Sequence, residues 1–141
     1  MEPKDVVHVL GNMIRAVRPG GTALDLQVIR PDPSVQAGER LLCKIDGEAL
    51  FRQADAATAA VDALVIDGTL AEEAVDDHDV LVHYPTGADL VDDFKDKERR
   101  LPPDAIPALL EITQPCVVRE RCRLRKLTVA GRPPGGDGLC P

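Results

Sequence analysis

The stretch Val17-Arg18-Pro19-Gly20-Gly21-Thr22-Ala23-Leu24-Asp25-Leu26-Gln27-Val28-Ile29 sets the course of the chain. Pro19 cannot extend a helix, because it lacks an N–H and its ring clashes with the preceding turn. Gly20 and Gly21 accept the left-handed exit that commonly ends helices. Residues 22–29 then mix alternation with continuous apolar character, as a strand buried on one or both faces does. Upstream, Val6, Val7, Leu10, Met13, Ile14 and Val17 recur at three- and four-residue steps. One apolar stripe results, and residues 3–17 are predicted to be an amphipathic helix.

Downstream, Pro31-Asp32-Pro33-Ser34 predicts a turn or loop. Residues 35–37 and 40–45, separated by Gly38-Glu39, read as a short hairpin. The Ala-rich run 48–66 predicts a long helix with Leu50, Phe51, Ala54, Ala57, Val61, Leu64 and Val65 inward. Asp67-Gly68 closes it. A strand is predicted from about residue 74 to Tyr84. Thr86 is the expected N-cap of a helix from 87 to about 97, supported by Asp89. A short helix follows Pro102-Pro103-Asp104 and runs to about 112. Residues 116–129 read as one long strand or two joined by a bend. Residues 131–141, rich in Pro and Gly, predict a flexible tail behind a single domain at 1–130.

The 141 residues suit one domain. With two Phe, one Tyr and no Trp, the core must be aliphatic. A net charge of −7 disfavours general nucleic-acid binding, since phosphate backbones are repelled. No apolar run approaches the roughly 20 residues that span a bilayer. The charged start, Met1-Glu2-Pro3-Lys4-Asp5, does not read as a signal peptide. Cys43, Cys116, Cys122 and Cys140 form no CxxC pair and read as reduced thiols. The expected location is the cytoplasm, and the composition suggests a GC-rich bacterial genome.

The unit from Asp5 to Leu26 resembles the middle of the class I S-adenosylmethionine-dependent methyltransferases, where an amphipathic helix ends in an Arg/Lys-Pro-Gly-Gly turn and feeds a sheet strand. Residues 117–127 are similar to that family's antiparallel last strands. The resemblance implies an α/β fold: a truncated Rossmann-like half, with a small mixed sheet and flanking helices. It also implies that the Gly-rich cofactor-binding half is missing, since no GxGxG stands in the chain. No cofactor is therefore expected on the isolated chain; S-adenosylmethionine would need a completing partner. The implied role is a binding, regulatory or assembly module. The alternatives are half of a methyltransferase completed by another chain, or a small-ligand-binding protein with a pocket beneath the Ala-rich helix. A half fold would leave strand 22–29 as a bare edge, so the hairpin 35–45 or a second chain is expected to cover it. A homodimer or a completing chain is the expected assembly.

Four guanidinium groups, Arg119, Arg121, Arg123 and Arg125, are spaced by two, which places them on one face of a strand. They are candidates for binding a phosphate or carboxylate. The plainer reading is an exposed face paired with carboxylates such as Asp76, Asp77, Asp92 and Asp93. Asp25, His83 and Tyr84 are candidate polar residues of a cleft, and Asp25 is equally suited to pairing with Arg15 or Arg18. His78 and His83 lie near Asp76, Asp77 and Asp79. Their odd separation puts them on opposite strand faces, which argues against a shared metal ion. Cys43 and Cys116 read as buried, inert thiols. Ser34, the one serine, sits in a Pro-rich loop and supports no Ser-His-Asp arrangement.

Overall fold

The computed structural model describes residues 3–97 and 99–131. Its elements are α1 (Pro3–Ala16), β1 (Thr22–Val28), β2 (Ser34–Ala37), β3 (Arg40–Lys44), α2 (Glu48–Ile66), β4 (Leu70–Tyr84), α3 (Gly87–Phe94), a 3-10 turn (Pro103–Ala105), α4 (Ile106–Leu110) and β5 (Cys116–Val129). The predicted tail lies, from residue 132 on, outside the described residues.

The local signals act as their chemistry dictates. Gly20 takes φ +81° after α1, and Gly68 takes +85° after α2, a backbone region open to glycine. The Gly21 N–H closes the first turn onto the Arg18 carbonyl at 2.7 Å, and Gly20 then donates to the Val129 carbonyl at 2.7 Å. The Pro-Gly-Gly turn thus stops a helix and starts β1 alongside β5. Thr86 caps α3, accepting the Asp89 N–H at 3.2 Å and donating to its carboxylate at 2.9 Å. This helix ends at Phe94 rather than near residue 97.

The sheet is open, with strands ordered β1-β5-β2-β3 and β4 also paired to β5. It is antiparallel, which corrects the mixed sheet expected from the resemblance. The physical reason is the connections: β2 and β3 are joined by a two-residue turn, which permits only antiparallel pairing. The long strand β5 returns against β2, with Ser34 opposite Arg119 and Gln36 opposite Val117. Beside β1 it takes the Ile29 N–H on the Arg121 carbonyl, while the Val129 N–H bonds the Gly21 carbonyl. The hairpin does not cover β1, because β2 pairs with β5 instead.

Strand 22–29 is also less buried than its composition suggests. Leu24 and Leu26 are 61% and 54% exposed. The pleat sends Ala23 to the side packed by α1 and α2, and Thr22, Leu24 and Leu26 to the uncovered side. Apolar residues on both faces read as a buried strand, but among the described residues helices cover one face only.

Two compact units divide the chain. Among the described residues, one takes 3–27, Asp55–Asp76 and 123–131. In its core, Val61, Leu70, Leu127 and Val129 meet Leu10, Ile14 and Val17. Met13, placed on the same stripe by sequence, is 49% exposed. The other unit comprises Val28–Ala54 and Asp77–Cys122. Its core joins Val35, Ile45, Tyr84, Leu90, Phe94, Leu109, Cys116 and Val118. Gly87 lets α3 approach α4: a Cβ there would lie 1.8 Å from the Leu109 carbonyl oxygen.

Candidate functional site

The unit Val28–Ala54 with Asp77–Cys122 carries two grooves among the described residues. The first has a volume of about 290 Å³ and lies on the outer face of the β3-β2-β5 ladder, with Ser34, Gln36, Lys44, Arg119 and Arg121 in its lining. Strand register brings these groups together. Lys44 lies opposite Ser34 on β3, and Arg119 lies opposite Ser34 on β5. Directly opposed residues share a face, so one row carries an ammonium, a hydroxyl and a guanidinium.

Asp79 of β4 holds the two arginines. Arg119 donates through one terminal nitrogen at 2.8 Å and Arg121 through one at 3.2 Å, to different carboxylate oxygens. These bonds, Arg119 first, hold the Asp79 carboxyl below the usual range. Asp32, also in the lining, accepts the Gly47 N–H at 3.2 Å. Lys44 has no ion-pair partner among the described residues.

The second groove, of about 390 Å³, is lined by Arg40, Leu42, Cys43, Asp104, Ala108 and Leu109 among others. Burial, and secondarily Asp104, pushes the Cys43 thiol up. A thiol held protonated is a poor nucleophile. Cys43 is half-buried and lines a groove, whereas Cys116 is buried; burial raises its pKa too. Neither groove is lined by α2, so the pocket expected beneath that helix is not one of these two.

The arginine stripe divides. Arg119 and Arg121 line the first groove. Burial on β5 follows even residues from Cys116 to Cys122 and odd residues from Arg125 to Val129, so the alternation changes phase at 123–124. Arg125 is consequently buried, in the unit that contains Glu72 and Asp62. It bonds Glu72 at 2.6 Å and Asp62 at 2.8 Å. Arg123 is half-buried, in that same unit, and does not line the groove. Asp79 thus serves Arg119 and Arg121, and Glu72 and Asp62 serve Arg125, while Asp92 and Asp93, named from sequence, pair with Lys95 and Lys97. The pairing of the arginines is set by strand register, which residue type does not reveal.

The three cleft candidates do not converge. Asp25 accepts from Gln27 at 2.8 Å, and not from Arg15 or Arg18, while its other oxygen is buried without a hydrogen bond. His83 is exposed on β4 and lines neither groove. Tyr84 is a core residue whose hydroxyl donates to Asp93. No cluster of three metal-ligating side chains occurs among the described residues, and no helix there is long and apolar enough to cross a membrane. Sequence reading missed Ser34, Gln36 and Lys44 as groove residues. The hairpin signal around Gly38 was visible, but not the irregularity between Val35 and Gln36 that fixes their register. Comparison with family models, curated proteins and solved structures finds no match.

Proposed function

We propose that the chain is a binding and assembly module without a cofactor of its own, which takes an extended segment of a partner protein along the free edge of β1. The observation that carries this reading is the make-up of that edge. Among the described residues, three strands have a single neighbour: β1, β3 and β4. β4 bears Glu72, Glu73, Asp76, Asp77 and Asp79, and β3 is bounded by Arg40 and Lys44. Such charges deter another strand from adding. β1 carries Asp25 alone among Thr, Ala, Leu, Gln and Val.

The edge also states what it prefers. Leu24 and Leu26 offer alternate apolar contacts on the exposed face. Asp25, the one charge on β1, favours a basic side chain on the added strand. A second copy fits less well. The twofold register that sets Leu24 against Leu26 also sets Asp25 against Asp25, and like charges directly opposed are destabilising.

The test is a peptide matching the 7 residues of β1 in length, with alternating leucines and a central arginine. Its addition is expected to slow amide exchange across Thr22–Val28, and Leu24→Lys is expected to abolish the effect. Unchanged exchange at saturating peptide would sink the reading. Light scattering over a concentration series gives the check on self-association: a dimer protected at β1 would assign the edge to a second copy.

A further inference from the structure

We infer that the outer face of the β3-β2-β5 ladder holds a binding site for a small phosphate monoester, built from Lys44, Ser34, Gln36, Arg119 and Arg121. It rests on the groove and its register, independently of the β1 edge.

The donors converge because the register makes them neighbours. Lys44, Ser34 and Arg119 form one cross-strand row, and Gln36 stands two residues along from Ser34 on the same face. Arg121 stands likewise two residues from Arg119. Each arginine spends one terminal nitrogen on Asp79. A guanidinium has five N–H donors, so each keeps others for a ligand. Asp79 thereby acts as a positioning residue, fixing two flexible side chains before anything binds. Lys44, Ser34 and Gln36 have no side-chain partner among the described residues, so their donors are available.

The charge balance favours an anion. Lys44, Arg119 and Arg121 supply three positive charges against Asp32 and Asp79 in the lining. That local excess stands out in a chain of net charge −7. A phosphate monoester brings nearly two charges and three acceptor oxygens, which suits two guanidiniums, an ammonium and a hydroxyl better than a monovalent carboxylate does. Size limits the ligand: about 290 Å³ sits at the small end for ligand pockets. Pro31 and Leu41 in the lining offer an apolar surface for the ester group. A nucleic-acid strand is a poor occupant, because no aromatic side chain lines the groove for stacking.

Calorimetric titration of the full chain at low salt tests this with phenyl phosphate, inorganic phosphate and benzoate. Phenyl phosphate is expected to bind with a Kd on the order of 1 mM or tighter, and more tightly than benzoate. Lys44→Met, which breaks no ion pair, is expected to weaken it about tenfold. Lys95→Met, removing an equal charge at the C-cap of α3, is expected to leave it unchanged. The proposal is overturned by any of three results: no saturation up to about 10 mM, equal affinity in Lys44→Met, or equal weakening in Lys95→Met.

Discussion

Tyr84 donates its hydroxyl to Asp93 from within the core, with its ring 6.4 Å from that of Phe94. Burial first and Asp93 second push the phenol from 10.0 up to about 12. The folded value lies above the unfolded one, so its stabilisation is complete below about pH 10 and is lost as pH rises towards 12. The gap between the two values is worth about 2–3 kcal/mol. Tyr84 is the one tyrosine of a chain without tryptophan, so near-ultraviolet tyrosinate absorbance follows it alone. We expect a titration midpoint well above the ordinary value in the folded protein, and a flatter alkaline stability profile in Tyr84→Phe. An ordinary midpoint under native conditions would contradict the buried, bonded hydroxyl. Gly87 makes an equally local demand. Its missing Cβ would sit 1.8 Å from a backbone oxygen of Leu109, and its N–H bonds the Ile112 carbonyl at 2.9 Å. Backbone cannot yield as a side chain does, so Gly87→Ala is expected to cost about 3 kcal/mol in urea unfolding. Parental stability in that variant would mean that α3 and α4 do not pack so closely.

At the scale of the element, β5 separates two kinds of arginine that look identical in sequence. Arg119 is a surface residue, with a side chain 46% exposed, bonded to Asp79; exposed pairs contribute about 0–1 kcal/mol. Arg125 has a side chain 8% exposed and is held by both Asp62 and Glu72. Burial works against its charge, and the bonds to Glu72 and Asp62 more than offset this, raising its pKa. Arg125→Ala would leave two carboxylates without their shared cation, at a cost of about 3 kcal/mol. Arg119→Ala is expected to cost under about 1 kcal/mol, and equal urea midpoints for the two variants would refute the phase change. That change was illegible because no Gly or Pro marks it: residues 123 and 124 are Arg and Leu. The Pro-Gly-Gly turn was legible because its chemistry is local. β4 was legible from about residue 74 on, and its first four residues were not. Its acidic first half has poor strand propensity, and cross-strand partners sustain it: Glu72 bonds Arg125, and Glu73 bonds Lys126 and Thr128. The groove was legible by half. Arg119 and Arg121 show their period in sequence, whereas Lys44 and Ser34 reach them only through pairing across three strands.

Over the whole molecule, acid and its screening by salt set two opposed effects against each other. The chain has 24 acidic and 17 basic side chains, so protonating carboxylates relieves a general repulsion. Against this stand carboxylates held by specific partners. Asp67 is lowered chiefly by Thr69, Glu73 by Thr128 and then Lys126, Asp79 by Arg119 and then Arg121, and Asp93 by Tyr84. Each folded value lies below its ordinary value of 3.8 or 4.5. Their contribution is therefore present above those values and lost as pH falls through the folded ones. Distance decides which effect wins. The partners are in direct contact, for instance Arg119 at 2.8 Å from Asp79, while diffuse repulsion is screened beyond about 8 Å at physiological salt. The urea midpoint is expected to hold level above about pH 5 and to fall below about pH 4. In about 1 M salt the fall should be shallower, because screening weakens the same exposed pairs at neutral pH. A midpoint that instead rises between about pH 5 and 3 would show that diffuse repulsion outweighs the carboxylate contacts, which would then contribute little to stability.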